Sequence, residues 1–179
     1  MIQIKYFVHG TTADNLEKKA SGWNDCELSE KGIHQAIALA HTIKDEEFDI
    51  VFCSDLTRAT ESAKLDFYNR DITIIKDERL RECNYGDYNG KDSSLVNYYL
   101  HFVTPFPNGE CLRNVEARMR SFVEFLKENY DGKKIAIVSH RAPQLALEVI
   151  LNNKRWEDAV EQDWRNTKAW QPGWDFVIE

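Results

Sequence analysis

A basic excess is missing from this sequence. Thirty Asp and Glu against 23 Lys and Arg leave a formal net charge of -7. Such a body has no general affinity for nucleic-acid phosphates or anionic membranes, so any small anion it binds needs a locally positive pocket. Long hydrophobic runs are missing too. No segment approaches the roughly 18 apolar residues of a membrane helix, and no charged stretch with a cleavable apolar core opens the chain. Cysteine is scarce: Cys26, Cys53, Cys83 and Cys111 stand far apart, with no Cys-x-x-Cys pair. That spacing argues against a zinc module and reads as reduced thiols of a cytosolic protein. Repeats, low-complexity tracts and linkers are also absent. What is there is 179 residues, 42% hydrophobic and 30% charged, long enough to bury a core. The expectation is one soluble, cytoplasmic domain over residues 1–179, with no nucleic-acid and no membrane partner.

"IQIKYFVH" is β-branched, aromatic and short, and stops at a glycine, so it predicts a buried strand. The polar segment from Thr11 to Glu30 has no period and predicts a long loop. Ser29 can cap a helix whose apolar stripe is Ile33, Ala36, Ile37, Ala40 and Ile43. "FDIVFCS" predicts a second strand, with Asp55 as cap of a helix starting near Leu56. "DITII" and "IAIVSH" predict a third and a fourth. Between those two lies a loop-rich stretch to about Glu110, then a helix with Leu112, Val115, Met119, Phe122, Val123 and Leu126 on one face. The tail, with its Pro172-Gly173 turn, suits an edge strand. Strands alternating with helices predict an α/β, three-layer fold with a mostly parallel central sheet. Ligands of such sheets sit outside the carboxyl ends of the strands.

Three predicted strands end in useful chemistry: His9, then Ser54 with Arg58 a turn later, then His140. One such histidine is usually structural, but two at strand ends point to nucleophile, acid, base or ligand duty. His34, His41 and His101 supply no metal-ligand spacing, so no metal and no cofactor is expected. Arg58 in the first turn of a helix stands at the end that disfavours cations, which makes sense if an anion shares it. A surface pair with Asp55 or Glu61 is the plainer explanation. Cys53 and Arg58 also sketch the Cys-x5-Arg loop of cysteine phosphatases, but the spacing is one residue short and the loop lacks glycine. Glu82 sits in the turn-rich "ERLRECNYGDYNGKD"; a carboxyl beside a phosphate would be pushed towards the protonated form that suits a general acid, though for this segment alone an ordinary structural glutamate is the plainer explanation. Arg141 directly follows His140 and either enters the same pocket or is solvated.

Together these residues resemble the histidine phosphatase superfamily, the phosphoglycerate-mutase-like enzymes of its larger branch. The opening motif Arg-His-Gly-x-Thr with a following asparagine appears as Val8, His9, Gly10, Thr12 and Asn15. Gly-Trp-x-Asp appears in "SGWNDCEL" with Ser21 and Gly22. "SDLTRATESA", "LRECNYGDYNG", "PNGE" and "VSH" follow in the family's order. The resemblance implies a metal-free, two-step phosphoryl transfer on a small phosphorylated substrate. His9 would become a phosphohistidine, and Glu82 would protonate the departing oxygen and then activate water. Arg58, Asn15 and His140 would hold the equatorial oxygens, with Gly10, Thr12, Ser21 and Gly22 lining the phosphate site.

Val8 stands where the family has arginine. Losing one transition-state donor costs ~3–4 kcal/mol, roughly 10²–10³ in rate. Arg141, where the family usually has glycine, is expected to resupply that charge. Three functions stay open: an active phosphatase, an impaired relative that binds a phosphorylated ligand or a protein, and a mutase. The stretch from Asp92 to Glu110, with Tyr98, Tyr99, Phe102 and Phe106 (and Tyr88 just before it), either reads the substrate or packs on the body. Trp156, Trp164, Trp170 and Trp174 either close the core or form a homodimer face.

Overall fold

The computed structural model of the protein describes residues 1–167 and 173–179. In chain order the elements are β1 (Ile2–Val8), α1 (Ala13–Leu16), β2 (Lys19–Ala20), α2 (Glu30–Thr42), β3 (Ile50–Cys53), α3 (Thr57–Asp66) and β4 (Ile74–Lys76). They continue with β5 (Lys91–Asp92), α4 (Leu112–Asn129), β6 (Lys134–Ser139), α5 (Arg141–Leu151), α6 (Trp156–Glu161), α7 (Trp164–Thr167) and β7 (Trp174–Ile178). The main sheet runs β4-β3-β6-β1-β7. Its first four strands are parallel, and β7 pairs antiparallel with β1 at the edge.

Strand alternation builds the layers. Ile2, Ile4, Tyr6, Phe52, Ile135 and Ile137 face α4 and α5 in the larger core. Phe7, Val51, Cys53, Ala136 and Val138 face the opposite way, towards Ile43, Ala63 and Phe67. Period-two burial on both faces is what a sheet between two helical layers demands. The α4 stripe is buried as its 3.6-residue spacing predicts.

Several boundaries differ from the sequence expectations. The loop after His9 contains α1, capped reciprocally by Thr12 and Asn15. It also contains β2, which pairs with β5 and ties this loop to the turn-rich segment. The buried row of α2 is Gly32, Ala36, Ala40 and Ile43, while Ile33 is exposed. Gly32 turns inward because a Cβ there would come within 2.1 Å of the Thr11 carbonyl oxygen. Ser29 does cap this helix, accepting from Gly32 N–H at 3.1 Å. Asp55 does not cap α3: its carboxylate takes Arg81 Nε at 2.8 Å. Asp25, from 32 residues upstream, accepts from Thr57 N–H at 2.7 Å and Thr57 Oγ1 at 2.6 Å instead. Of the predicted third strand, residues 71–75, only Ile74 and Ile75 pair, and the observed strand β4 runs one residue further, to Lys76. Trp170 and Pro172 lie outside the described residues. Among the described residues no helix is long and apolar enough to cross a membrane.

Candidate active site

Register brings the strand ends together. Val8 lies opposite Ser139, and Cys53 opposite Val138. His9 N–H donates to the Ser139 carbonyl at 3.0 Å and Ser54 N–H to the Val138 carbonyl at 3.1 Å, so both residues stay in line with the sheet. The imidazoles of His9 and His140 consequently meet edge to face, ring centres 5.0 Å apart at 62°. His9 faces, at the carboxyl end of the sheet, a cavity of about 600 Å³ lined by Val8, His9, Asn15, Arg58, Glu82 and Arg141 among others, whereas His140 is fully buried behind it and is not one of the lining residues.

His9 Nδ1 lies 2.7 Å from the Gly10 carbonyl oxygen. A carbonyl only accepts, so Nδ1 carries the proton and Nε2 keeps its lone pair. Burial, and next the positive charge of Arg58, push the His9 pKa down to about 3. The ring is therefore neutral near pH 7, the form that attacks an electrophile. Gly10 is fixed in turn by its N–H to Ser62 Oγ at 3.0 Å, and a Cβ on Gly10 would press to 2.6 Å from the Gly32 carbonyl oxygen.

His140 is fully buried, and neither ring nitrogen has a hydrogen-bond partner among the described residues. An orphaned buried polar group costs about 1–3 kcal/mol, a debt a bound oxygen would relieve. Burial and the charge of Arg58 hold its pKa well below the usual histidine range. Tyr6 locks its backbone: the phenol donates to the His140 carbonyl at 2.7 Å and accepts from His140 N–H at 3.1 Å.

Arg58 is buried in the first turn of α3. Its Nη2 donates to the Gly22 carbonyl at 2.7 Å and its Nη1 to the Asn24 carbonyl at 3.1 Å. These carbonyl anchors, rather than Asp55 or Glu61, hold the fork against the cavity. Gly22 reaches this position through a left-handed φ of +54°, and a Cβ there would collide with Asn89. The α3 entrance itself offers no free first amide to an anion, because Asp25 occupies it.

Glu82 spans two segments. Its Oε1 accepts from Cys83 N–H at 2.9 Å and Ala142 N–H at 3.0 Å, and its Oε2 from Arg141 N–H at 3.2 Å. The carboxyl thus sits on the N-terminus of α5, next to His140, and borders the cavity. Its backbone carbonyl is gripped by Trp23 Nε1 at 2.7 Å and Arg118 Nη2 at 2.9 Å. Glu110 of the "PNGE" stretch pairs with Arg118 Nε at 3.0 Å and takes Asn84 N–H at 2.8 Å, so it braces the segment that carries Glu82.

Other expected site residues have mixed placements. Asn15 borders the cavity and spends its Oδ1 on Thr12 N–H at 3.0 Å, leaving the amide nitrogen for a ligand. Ser21 borders it while donating to Asp14 Oδ2 at 2.7 Å. Thr12 is fully buried and caps α1 through Asn15 N–H at 3.1 Å, so it builds the loop instead of touching an anion. Arg141 borders the cavity, but its Nε donates to Asp163 at 2.6 Å and its guanidinium lies 4.6 Å over the Tyr98 ring. From the stretch Asp92 to Glu110 only Ser93 reaches the cavity. Tyr98 and Phe106 belong to the core. Cys53 is buried in β3 with its thiol pushed up to about 11 by desolvation, which removes the thiolate a cysteine phosphatase needs. Asp163 and Arg165 were unsignalled in the sequence, and Trp164 was expected in the core or at a dimer face; Trp164 and Arg165 border the cavity from the C-terminal side.

A sequence model of the histidine phosphatase superfamily (branch 1) matches residues 7–169. The chain is 32% identical over 161 residues to a 2,3-bisphosphoglycerate-dependent phosphoglycerate mutase of Methylobacterium sp. (strain 4-46), covering 80% of this chain and 77% of that one. A protein of the same name from Cytophaga hutchinsonii is 31% identical over 169 residues, covering 87% and 79%. Among solved structures, Bacillus stearothermophilus YhfR superposes with a TM-score of 0.80 at 27% identity, covering 89% of this chain and 84% of that one. The alpha-ribazole phosphatase of Shigella flexneri does so at 0.79 and 27%, covering 89% and 84%. With that match over nearly its whole length, the chain belongs to branch 1 of the histidine phosphatase superfamily.

Proposed function

We propose that the protein is a metal-independent phosphatase of small phosphomonoesters, working through a phosphohistidine at His9. The observation that carries this reading is the His9 tautomer: Nδ1–H is committed to Gly10 and a neutral ring leaves Nε2 with its lone pair beside the cavity. In the first step Nε2 forms a bond to phosphorus while the ester P–O bond breaks. The departing oxygen takes a proton from Glu82. In the second step water attacks phosphorus and gives its proton back to Glu82, the N–P bond breaks and inorganic phosphate leaves. Arg58 neutralises charge on the equatorial oxygens, His140 donates to one of them and Asn15 offers its amide.

The test is a panel of phosphomonoesters turned over by wild type and His9→Ala, with a chelator present. The expected result is chelator-resistant hydrolysis and an acid-labile phosphoprotein, both lost in the variant. Undiminished turnover by His9→Ala overturns the assignment. A mutase is the second reading, favoured by the name that the similar curated proteins share. It predicts that a bisphosphate leaves its phosphoryl group on His9 and that an acceptor, rather than water, removes it. A third outcome, tight phosphate binding without turnover in wild type, identifies an impaired relative. The resemblance places the defect at Val8, and in that case Val8→Arg gains activity.

A further inference from the structure

We propose that Trp164 and Arg165, anchored by the buried Asp163 behind them, form a second anion-binding wall of this cavity, in which Arg165 carries the positive charge that the family resemblance expects from an arginine at position 8. The inference rests on the reading of the cavity as a phosphate site. Three observations support it.

The first is the way one carboxylate serves two arginines. The Asp163 side chain is fully buried. Its Oδ2 accepts Arg141 Nε at 2.6 Å, while Oδ1 accepts Arg165 Nη1 and Arg165 N–H, each at 3.1 Å. Asp163 thus pairs with two cations at once, and both arginines border the cavity that contains His9 and Val8, whose lining also includes the carboxyl groups of Glu82 and Asp66. An incoming anion would meet Arg58, Arg141 and Arg165 together on the cavity wall.

The second is preorganisation. The Arg165 guanidinium carbon lies 4.7 Å over the Trp164 ring, so the side chain is held between an indole face and the Asp163 carboxylate. A fixed guanidinium loses little freedom when it binds, which is what a transition-state donor needs. The third is an unused donor in the same wall. Trp164 Nε1 is buried without a hydrogen-bond partner among the described residues, and Trp164 borders the cavity. A ligand oxygen is the simplest group to satisfy it.

Arg165 fits the missing charge better than Arg141 does. Both arginines bond Asp163, but the Arg141 guanidinium covers Tyr98, which does not border the cavity, whereas that of Arg165 covers Trp164, which does. Arg165 is also, with Arg58, one of the cations that depress the basicity of His9. Arg141 then acts mainly as the partner that fixes Asp163.

The experiment combines binding and turnover. Orthovanadate and inorganic phosphate are titrated calorimetrically into wild type, His9→Ala, Arg165→Gln, Arg165→Lys and the double variant Val8→Arg/Arg165→Gln. Hydrolysis of an aryl phosphate is followed for each. The expected result for Arg165→Gln is weaker anion binding by at least about tenfold and a loss of about 10²–10³ in kcat/KM. Arg165→Lys should lie between, and Val8→Arg should restore activity in the Arg165→Gln background far more than it adds to wild type. Unchanged anion binding in Arg165→Gln, with wild type active, overturns this inference and leaves the phosphatase reading standing. Wild type that binds neither anion overturns both. If Arg165→Gln fails to fold, Arg165→Lys decides: wild-type vanadate affinity and kcat/KM together with a null effect of Val8→Arg in that background count against the wall.

Discussion

At the residue scale, the neighbours of Glu82 decide how its loss must be measured. Three backbone amides converge on its carboxyl, two of them from the first turn of α5. Replacing it removes a negative charge from a helix N-terminus as well as a proton carrier. Glu82→Gln should therefore cost about 1 kcal/mol or less of stability through the dipole, and about 10²–10⁴ in kcat through lost acid–base help. Leaving-group dependence separates the two. An alkyl phosphate, whose alkoxide needs protonation, should lose far more rate than a nitrophenyl phosphate, whose phenolate leaves unaided. Equal losses for both would remove Glu82 from the proton path. The place of Glu82 at the cavity was legible because it stands at a fixed point in an ordered set of motifs; alone, a glutamate among turn residues says little. Thr12 was misread for the same reason. A threonine in that motif looks like a phosphate ligand, yet its hydroxyl is equally good at capping the first turn of a helix, and that local bond wins.

At the scale of elements, the start of α3 shows how a distant residue sets a helix that holds the site. Leu56 occupies the cap position and offers no side-chain oxygen. Asp25 fills the gap from the loop that also supplies the Gly22 and Asn24 carbonyls to Arg58. Asp25→Ala should lower stability by about 1 kcal/mol, the usual worth of a cap. It should also weaken phosphate binding, because loop and helix no longer pin the guanidinium from both sides. A denaturant series and a phosphate titration on the same variant check this. A stability loss with unaltered affinity would show that Arg58 needs only its carbonyl anchors. Strands and long helices here were readable from periodicity, since α4 buries each residue its stripe names. Helix entrances were not. A cap can come from any polar residue that the fold delivers, and sequence proximity made Asp55 the obvious choice although Arg81 claims it.

At the scale of the whole molecule, two neutral imidazoles, His140 fully buried and His9 half-buried at the cavity, make the native state averse to acid. The pKa of His9 lies near 3 and that of His140 well below normal, against about 6.5 for an unfolded histidine. Below pH 6.5 the unfolded chain binds protons that the native chain refuses, so stability falls as pH falls, by up to about 1.4 kcal/mol per pH unit for each histidine. Above that pH their contribution is constant. Urea midpoints measured from pH 7 to 4 should decline, and His140→Asn should flatten the decline. A variant that keeps the wild-type slope would acquit this ring. The wall around Asp163 belongs to this scale too. Its bond to Arg141 spans 22 residues and an intervening helix, α6. Nothing local marks Asp163 as different from any other acidic residue near a helix end, so only the folded chain reveals it. The tail tryptophans were similarly ambiguous: Trp156 enters the core, whereas Trp164 and Trp174 border the cavity.

Strand order carries one more consequence. β1 is made before both of its sheet neighbours, β6 and β7, which follow it by more than a hundred residues. The strand that leads to His9 must wait unpaired while more than a hundred residues emerge, and such non-local pairing is slow and exposes sticky edges. Until β6 and the segment after it have been made, His9 stands without His140 and Arg165, so the proposed site is assembled only once they have emerged.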